Sequence, residues 1–172
     1  MEEEANDWDA LLQHYLIDTG GCIAGGLAQV EDGVFYAAAP TADEKGWEII
    51  FKEDHEEEIW RDDGTLQKVM INERDSLKAT VDSLEAPKEG LWLGGEMYRI
   101  VHADAEERVG DSLKLKWLHG VKTKLSGWSG VHIIVTKTQV VVGVYDPSSH
   151  AGNCKKAVVE FAEWLHFSLH RG

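Results

Sequence analysis

The feature that most constrains this fold is a pair of apolar segments separated by two glycines, within residues 90–101. In Leu91-Trp92-Leu93 successive side chains point to opposite sides, as they do along a β-strand. Gly94-Gly95 then supplies the positive φ angles that a tight hairpin needs, and the alternation resumes at Met97. We therefore predict two antiparallel strands here, placed in the middle of a sheet.

Other strands are predicted on both sides of this stretch from apolar alternation, β-branched runs and turn residues. They are two hairpins at 22–39 and 56–71, and single strands at 112–118, 131–136 and 140–145. The lysines of the 112–118 strand alternate with leucines, so they are expected to face solvent. Residues 102–110 are acidic and show no clean alternation, so a loop is expected there.

Helices are predicted at both ends of the chain. Apolar residues recur at helical spacing over 7–17 and again over 150–170, and Asn72 caps a third helix that runs to about Ser83. Residues 41–55 suit a short helix or an ordered loop. The fold class is thus α+β: an antiparallel sheet of six or seven strands, with the two terminal helices packed together on one face, in one domain over residues 1–172.

The charge of the chain is unevenly distributed. Residues 1–111 carry 28 acidic and 9 basic side chains, whereas residues 112–172 carry 3 and 8, within a net charge of −14. An acidic chain is a poor candidate for binding nucleic acid. The basic last third could face an acidic partner, and we expect its lysines to gather on one surface, on the side away from the two terminal helices.

Apart from one protease-like triplet considered below, motifs for catalysis, cofactors and metals are not apparent in the sequence. There is no phosphate-binding loop or zinc-type spacing, and Cys22 and Cys154 are too far apart to suggest a metal site. No apolar run approaches the roughly 18 residues that would span a bilayer. We expect a cytoplasmic, non-enzymatic protein with reduced thiols and no cofactor.

Taken together, several motifs resemble the profilin family, and within it the profilins of apicomplexan parasites. The motifs are the Trp8-led helix, Ala24-Gly25-Gly26-Leu27-Ala28 with Glu31-Asp32-Gly33-Val34, Ala86-Pro87 with Gly90 to Gly95, Val144-Tyr145-Asp146, and Phe161-Ala162-Glu163-Trp164-Leu165-His166. They cover nearly the whole chain in register. The hairpin at 56–71 resembles an insertion that distinguishes the parasite members.

The resemblance implies a monomeric, cytoplasmic and cytoskeletal protein that binds actin monomers and regulates actin polymerisation. Many members of the family also bind phosphoinositides, which adds these lipids to the expected partners. The family's actin-binding positions correspond here to Met97, Arg99, Ile100, His102, Lys114, Lys116, His150, Gly152, Asn153, Lys155, Lys156, Val159 and Glu160. Because actin is acidic, the basic last third of the chain is where positive charge would favour this contact.

The resemblance also implies a groove for proline-rich segments of actin-assembly factors such as formins, between the two terminal helices. Its positions correspond to Trp8, Leu11, Tyr36, Trp164 and His170, and many relatives carry tyrosine where Leu11 and His170 stand. Flat aromatic side chains suit this ligand, because a polyproline II segment is pre-ordered and loses little entropy on binding.

Two alternatives of other classes remain open at this stage. Asp18-Thr19-Gly20 matches the triplet of aspartic proteases, whose chemistry needs two carboxylates that share a proton and hence a dimer of such a chain. A profilin-like scaffold that binds proteins other than actin is the second. The aromatic residues of the terminal helices could also be ordinary core residues.

Overall fold

The fold was determined as a computed structural model that describes residues 8–110, 113–123, 129–149 and 151–169. These ranges hold nine strands and four helices. The strands are β1 (Ala24–Gln29), β2 (Phe35–Ala39), β3 (His55–Trp60), β4 (Leu66–Ile71), β5 (Leu91–Leu93), β6 (Glu96–Val109), β7 (Leu113–Lys122), β8 (Gly130–Val135) and β9 (Gln139–Tyr145). The helices are α1 (8–18), α2 (Lys45–Ile50), α3 (Glu73–Ser83) and α4 (Ala151–Leu169).

Seven strands form one antiparallel sheet in the order β2-β1-β9-β8-β7-β6-β5. β3 and β4 pair only with each other, in a separate two-stranded ribbon. The predicted α+β class with a sheet of this size is confirmed. Among the described residues, no helix is long and apolar enough to cross a bilayer.

Two predictions about the sheet are wrong. The Gly94-Gly95 hairpin lies at the edge and not in the middle, because β5 is only three residues long and pairs with β6 alone. The stretch 102–110 is not a loop, because β6 continues to Val109 and pairs with β7 throughout. Two register shifts along β6 interrupt the period-two pattern, which explains why the sequence did not reveal this strand.

Helices cover both faces of the sheet. α1 and α4 share one face with apolar side chains of β7 and β9, as predicted for the terminal helices. α2 and α3 cover the other face, where Ile50, Leu77 and Val81 are buried. The sequence did not indicate this second layer, because α2 is one and a half turns long and lies in an acidic segment.

Helical side chains also satisfy backbone donors at the two edges of the sheet. At the β2 edge, the Ala38 N–H donates to Asp9 Oδ1 of α1 over 3.0 Å. At the β5 edge, the Trp92 N–H donates to Ser76 Oγ of α3 over 3.1 Å. Each contact satisfies a backbone N–H group at a sheet edge, which could otherwise form a hydrogen bond with a strand of another chain.

A buried carboxylate organises the Gly94-Gly95 hairpin. Glu73, at the start of α3, is 2% exposed and accepts the N–H groups of Gly94 and Gly95, each over 2.7 Å. It also accepts the Lys52 N–H over 2.9 Å and lies 2.9 Å from His55 Nε2. One side chain therefore joins α3, the β5–β6 turn and the start of the β3–β4 ribbon.

We expect Glu73→Ala to lower the free energy of unfolding by about 3 kcal/mol or more. Each buried donor left without an acceptor costs about 1–3 kcal/mol, and three backbone N–H groups would lose theirs. Urea denaturation followed by circular dichroism measures the change. Glu48→Ala, at an exposed position of α2, is the control, and its change should stay within about 0.5 kcal/mol. Equal stability of the two variants would contradict the bridging role of Glu73.

Candidate functional site

Aromatic side chains of α1, β2 and α4 form the first candidate surface, here called the aromatic cluster: Trp8, Tyr15, Tyr36, Phe161 and Trp164. Trp8 meets Tyr36 edge to face, with ring centroids 6.2 Å apart. Tyr15 stacks on Phe161 at 5.0 Å and lies 5.9 Å from Trp164. All except Phe161 are half-buried, so parts of these rings reach solvent.

The sheet holds Tyr36 in place from below. Its hydroxyl group forms a short hydrogen bond with Gln139 Oε1 of β9, and burial raises the pKa of this phenol to about 12. The ring therefore stays neutral and oriented at physiological pH. Leu11 is half-buried against the same core, whereas His170 lies outside the described residues.

The second candidate surface, here called the α4 face, lies along the first half of α4 and the strands beside it. It comprises the polar residues Arg99, His102, Asn153, Lys155, Lys156 and Glu160, together with Gly152. Of these, Lys155 is the most firmly held. Its Nζ lies 3.6 Å from the centroid of the Trp117 ring and 2.8 Å from Glu107 Oε2. The two contacts fix a cation on this surface, although partial exposure of the ion pair limits its contribution to stability.

Stacked rings lie beneath Lys155, here called the histidine cluster: His102, Trp117, His119, His132 and Tyr145. Centroids are 4.3 Å apart between His119 and His132, and 4.5 Å between His102 and Trp117. Trp117 Nε1 donates to His132 Nδ1 over 3.1 Å, and His119 Nε2 lies 2.7 Å from the Tyr145 hydroxyl. Burial, followed by the charges of His102 and Lys155, lowers the pKa of His119.

A glycine makes room for this arrangement. A Cβ atom on Gly130 would come within 2.5 Å of the Tyr145 Oη and 2.4 Å of the Gly120 carbonyl oxygen. Only glycine therefore allows the Tyr145 ring to cross β8 and reach His119.

The expectation that the lysines gather on one surface is wrong. Lys116 alternates with Trp117 along β7, so its side chain lies on the α3 side, where its Nζ donates to the Val81 carbonyl over 3.0 Å. Lys114, two residues earlier, lies on that same side and is exposed. Lys155 lies across the sheet from both, above Trp117.

The remaining predicted actin-binding residues are divided in the same way. Ile100 packs into the α3-side core, and Val159 packs against the α4-side core. Met97 lines an open hollow of about 500 Å³ beside the exposed Trp60 of the β3–β4 ribbon. Gly152, Asn153 and the other polar positions of the α4 face are exposed or half-buried, and His150 lies outside the described residues.

The protease-like triplet closes a helix. Asp18 is the last residue of α1 and accepts a hydrogen bond from Gln13 Nε2 over 3.0 Å, while the Thr19 hydroxyl donates to the Tyr15 carbonyl. In aspartic proteases a carboxylate pair shares a proton, but here Asp18 is occupied by an amide of its own helix. Within the described ranges, no three histidine, cysteine or acidic side chains are grouped as metal ligands would be.

Sequence reasoning missed several residues of both surfaces. Tyr15 and Phe161 lie in predicted helices, Trp117 and His132 lie in predicted strands, and His119 follows a predicted strand, but the sequence indicates no role for their side chains. A signal was present: Trp117 and His119 share the same side of β7, and His132 lies directly opposite His119 on β8. That register could not be known from the sequence.

Comparisons with known proteins match the chain over almost its full length. The sequence profile of the family described as Profilin matches residues 6–168. A profilin of Plasmodium falciparum is 31% identical over 174 residues, covering 96% of this chain and 97% of the relative. A profilin of Plasmodium berghei is 32% identical over 181 residues, covering 100% and 99%.

Solved structures share the fold at low sequence identity. Acanthamoeba castellanii profilin IA has a TM-score of 0.59 at 17% identity, with 94% of this chain and 98% of that chain covered. Mouse profilin IIa, solved in complex with a double repeat from the FH1 domain of mDia1, has a TM-score of 0.54 at 16% identity, with 91% and 97% covered.

Proposed function

Because this chain belongs to the profilin family, we propose that it binds actin monomers and regulates their assembly into filaments. Profilins are normally non-enzymatic actin-binding proteins, which fits a function based on stoichiometric binding. The main support for the proposal is the family match, which extends over residues 6–168 and so includes the residues of both candidate surfaces. The match is to sequence, so it is independent of the charge and geometry considered next.

The α4 face is the side of the molecule on which we would seat actin. Lys156 is exposed on α4, Lys155 is fixed between Trp117 and Glu107, and Arg99 lies on the same side of the sheet by its register with Val121. Cations held at fixed positions on this face can pair with carboxylates of an acidic partner, because charge complementarity governs the rate and register of association. Preorganised cations also lose less side-chain entropy on binding.

The lysines on the opposite side have another explanation. Lys116 donates to the Val81 carbonyl near the C-terminal end of α3, which is a stabilising position for a cation. Lys114 lies on that side as well. The sequence-based assignment of Lys114 and Lys116 to the actin contact stays a prediction. We favour the α4 face, because these two lysines and Lys155 lie on opposite sides of the sheet and cannot all belong to one contact surface.

The aromatic cluster is the site at which we would seat a proline-rich segment of an actin-assembly factor such as a formin. Trp8 with Tyr36, and Trp164 with Tyr15, offer half-buried ring faces on the terminal helices and the strand beside them. Such rings pack against proline side chains, and indole N–H groups can donate to the carbonyls of a polyproline II helix. The mouse profilin with an FH1 repeat has the same fold, which supports this use.

The remaining attributes follow from family membership in the same way. The chain acts as one profilin domain over residues 1–172, in which the 56–71 hairpin is an insertion. It works as a monomer in the cytoplasm and at the actin cytoskeleton. Phosphoinositide binding stays a prediction from the resemblance alone.

We expect Lys156→Glu to weaken binding to actin monomers by about tenfold, because it reverses an exposed charge on the α4 face. Lys114→Glu carries the same charge change on the opposite side and should leave the Kd within about twofold. Anisotropy of labelled actin monomers gives the Kd, and pyrene-actin assembly gives the functional effect. Actin assembly that is unchanged by an excess of the wild-type protein would refute actin binding. Equal losses in the two variants would refute the assignment to the α4 face.

Octaproline should change the tryptophan fluorescence of the wild-type protein in a saturable way, because Trp8 and Trp164 would leave water on binding. We expect Trp8→Ala to lower the affinity about tenfold, as for other aromatic anchors. Trp60→Phe, at an exposed position of the β3–β4 ribbon, should bind as the wild type does. Calorimetry provides a second readout. Absence of both heat and a fluorescence change would show that the aromatic cluster is only core.

A further inference from the structure

The histidine cluster is more elaborate than packing requires. Three imidazoles from three neighbouring strands lie around one indole, on the side of the sheet that α4 occupies. His132 is 3% exposed and Trp117 is 8% exposed, so half of the arrangement is removed from water. Histidine is the side chain whose unperturbed pKa lies nearest to physiological pH, and burial favours its neutral form.

Hydrogen bonds restrict the protonation states of this cluster. Trp117 Nε1 is a donor only, so the His132 Nδ1 that it meets at 3.1 Å must be an unprotonated acceptor. An imidazolium has N–H donors on both nitrogens, so a charged His132 cannot keep this bond. His119 stacks on His132 at 4.3 Å, and two charged rings at that separation would repel each other.

The charged groups around the cluster come from two elements. α4 contributes Lys155, and β6 contributes Glu107, with Arg99 and Asp104 on the same side by register. The ionisable Tyr145 and Cys154 complete the surroundings, from β9 and α4. The two carboxylates are already engaged: Glu107 pairs with Lys155, and Asp104 Oδ1 accepts the Glu106 N–H.

The consequence for Lys155 is direct. Its ammonium group lies over the Trp117 ring, and that ring is held in turn by the hydrogen bond to His132, by a tilted contact with His102 and by stacking on His119. Any new positive charge in the stack would lie close to Lys155. Protonation of His132 would therefore remove the hydrogen bond that orients the indole, and a positive charge on any of these rings would add repulsion beneath the cation that the indole supports.

We propose that the histidine cluster is a pH-sensitive support for the α4 face, which holds Lys155 in its binding position at neutral pH and releases it in mildly acidic conditions. The inference rests on the proposed function, since the partner whose binding is controlled is the actin monomer. The proposal is based on ring contacts that are compatible with neutral imidazoles, whereas charged imidazoles would lose the hydrogen bond from Trp117 or repel one another.

The direction of the pH effect on stability follows from His119. Its folded-state pKa is lowered, first by burial and then by His102 and Lys155, so below about pH 6.5 the unfolded chain binds more protons than the folded chain. The stabilisation by neutral His119 is complete above about pH 6.5. It is lost as the pH falls from there through the folded-state pKa.

The first test needs no actin. Imidazole resonances of His102, His119 and His132, and the Trp117 indole N–H, are followed by NMR from pH 7.5 to 5.0, alongside urea denaturation. We expect the pKa of His119 to lie below the ordinary histidine value, the Trp117 N–H resonance to shift as the hydrogen bond to His132 breaks, and the urea midpoint to fall. His119→Gln should reduce the fall in midpoint, and His14→Gln, exposed on α1, should not. A Trp117 resonance unchanged to pH 5.0 would overturn the proposal.

The second test measures actin binding at pH 7.5 and 6.0. We expect the wild type and His14→Gln to lose about fivefold in affinity between these values, at the lower end of typical coupling between sites. His119→Gln should lose less affinity over the same pH change. Any pH dependence that comes from actin itself affects all three proteins equally, so the difference between them reports the histidine cluster. Equal losses in all three proteins would refute the switch while leaving actin binding intact. Absence of binding at pH 7.5 would instead refute the proposed function, and the NMR titration would still decide whether the cluster responds to acid.

Discussion

α4 can lie against β9 only because residue 143 has no side chain. A Cβ atom there would come within 2.4 Å of Val158 Cγ2, 2.9 Å of Cys22 Sγ and 3.2 Å of Cys154 Sγ. The close approach seats the helix that carries both candidate surfaces, with Lys155 near its start and Trp164 nearer its end. It also brings Cys22, in the segment after α1, against the first turns of α4. The positions of both candidate surfaces therefore depend on this close approach between α4 and the sheet.

The two helical layers have different tasks. The α1–α4 side carries half-buried aromatic side chains and more exposed basic ones above a core, and it is the side on which partners are proposed to bind. The α2–α3 side is where the chain satisfies its own polar groups: Glu73 accepts three backbone N–H groups, and Lys116 donates to the end of α3. A buried carboxylate with several donors is tolerated because the hydrogen bonds replace its hydration.

Much of the architecture could be predicted from the sequence, since it is encoded in local patterns. The terminal helices, the Asn72 cap and the β-branched strands β8 and β9 were all visible as periodicity or capping chemistry. The length of β6 was hidden, because its two bulges break the alternation on which strand prediction depends. The edge position of β5 was hidden as well, since strand order is not a local property.

The sequence by itself determined which residues alternate, which segments are helical, and that acidic and basic side chains are separated along the chain. Only the tertiary structure decided which of these residues meet. Lys114 and Lys155 both belong to the basic third, but β7 and α4 direct them to opposite sides of the sheet. Conversely, His102, His119 and His132 are scattered in sequence and meet because the register of three strands aligns them. The physical reason is that side-chain direction follows from local backbone geometry, whereas proximity follows from long-range pairing, which is fixed only when the whole sheet is assembled.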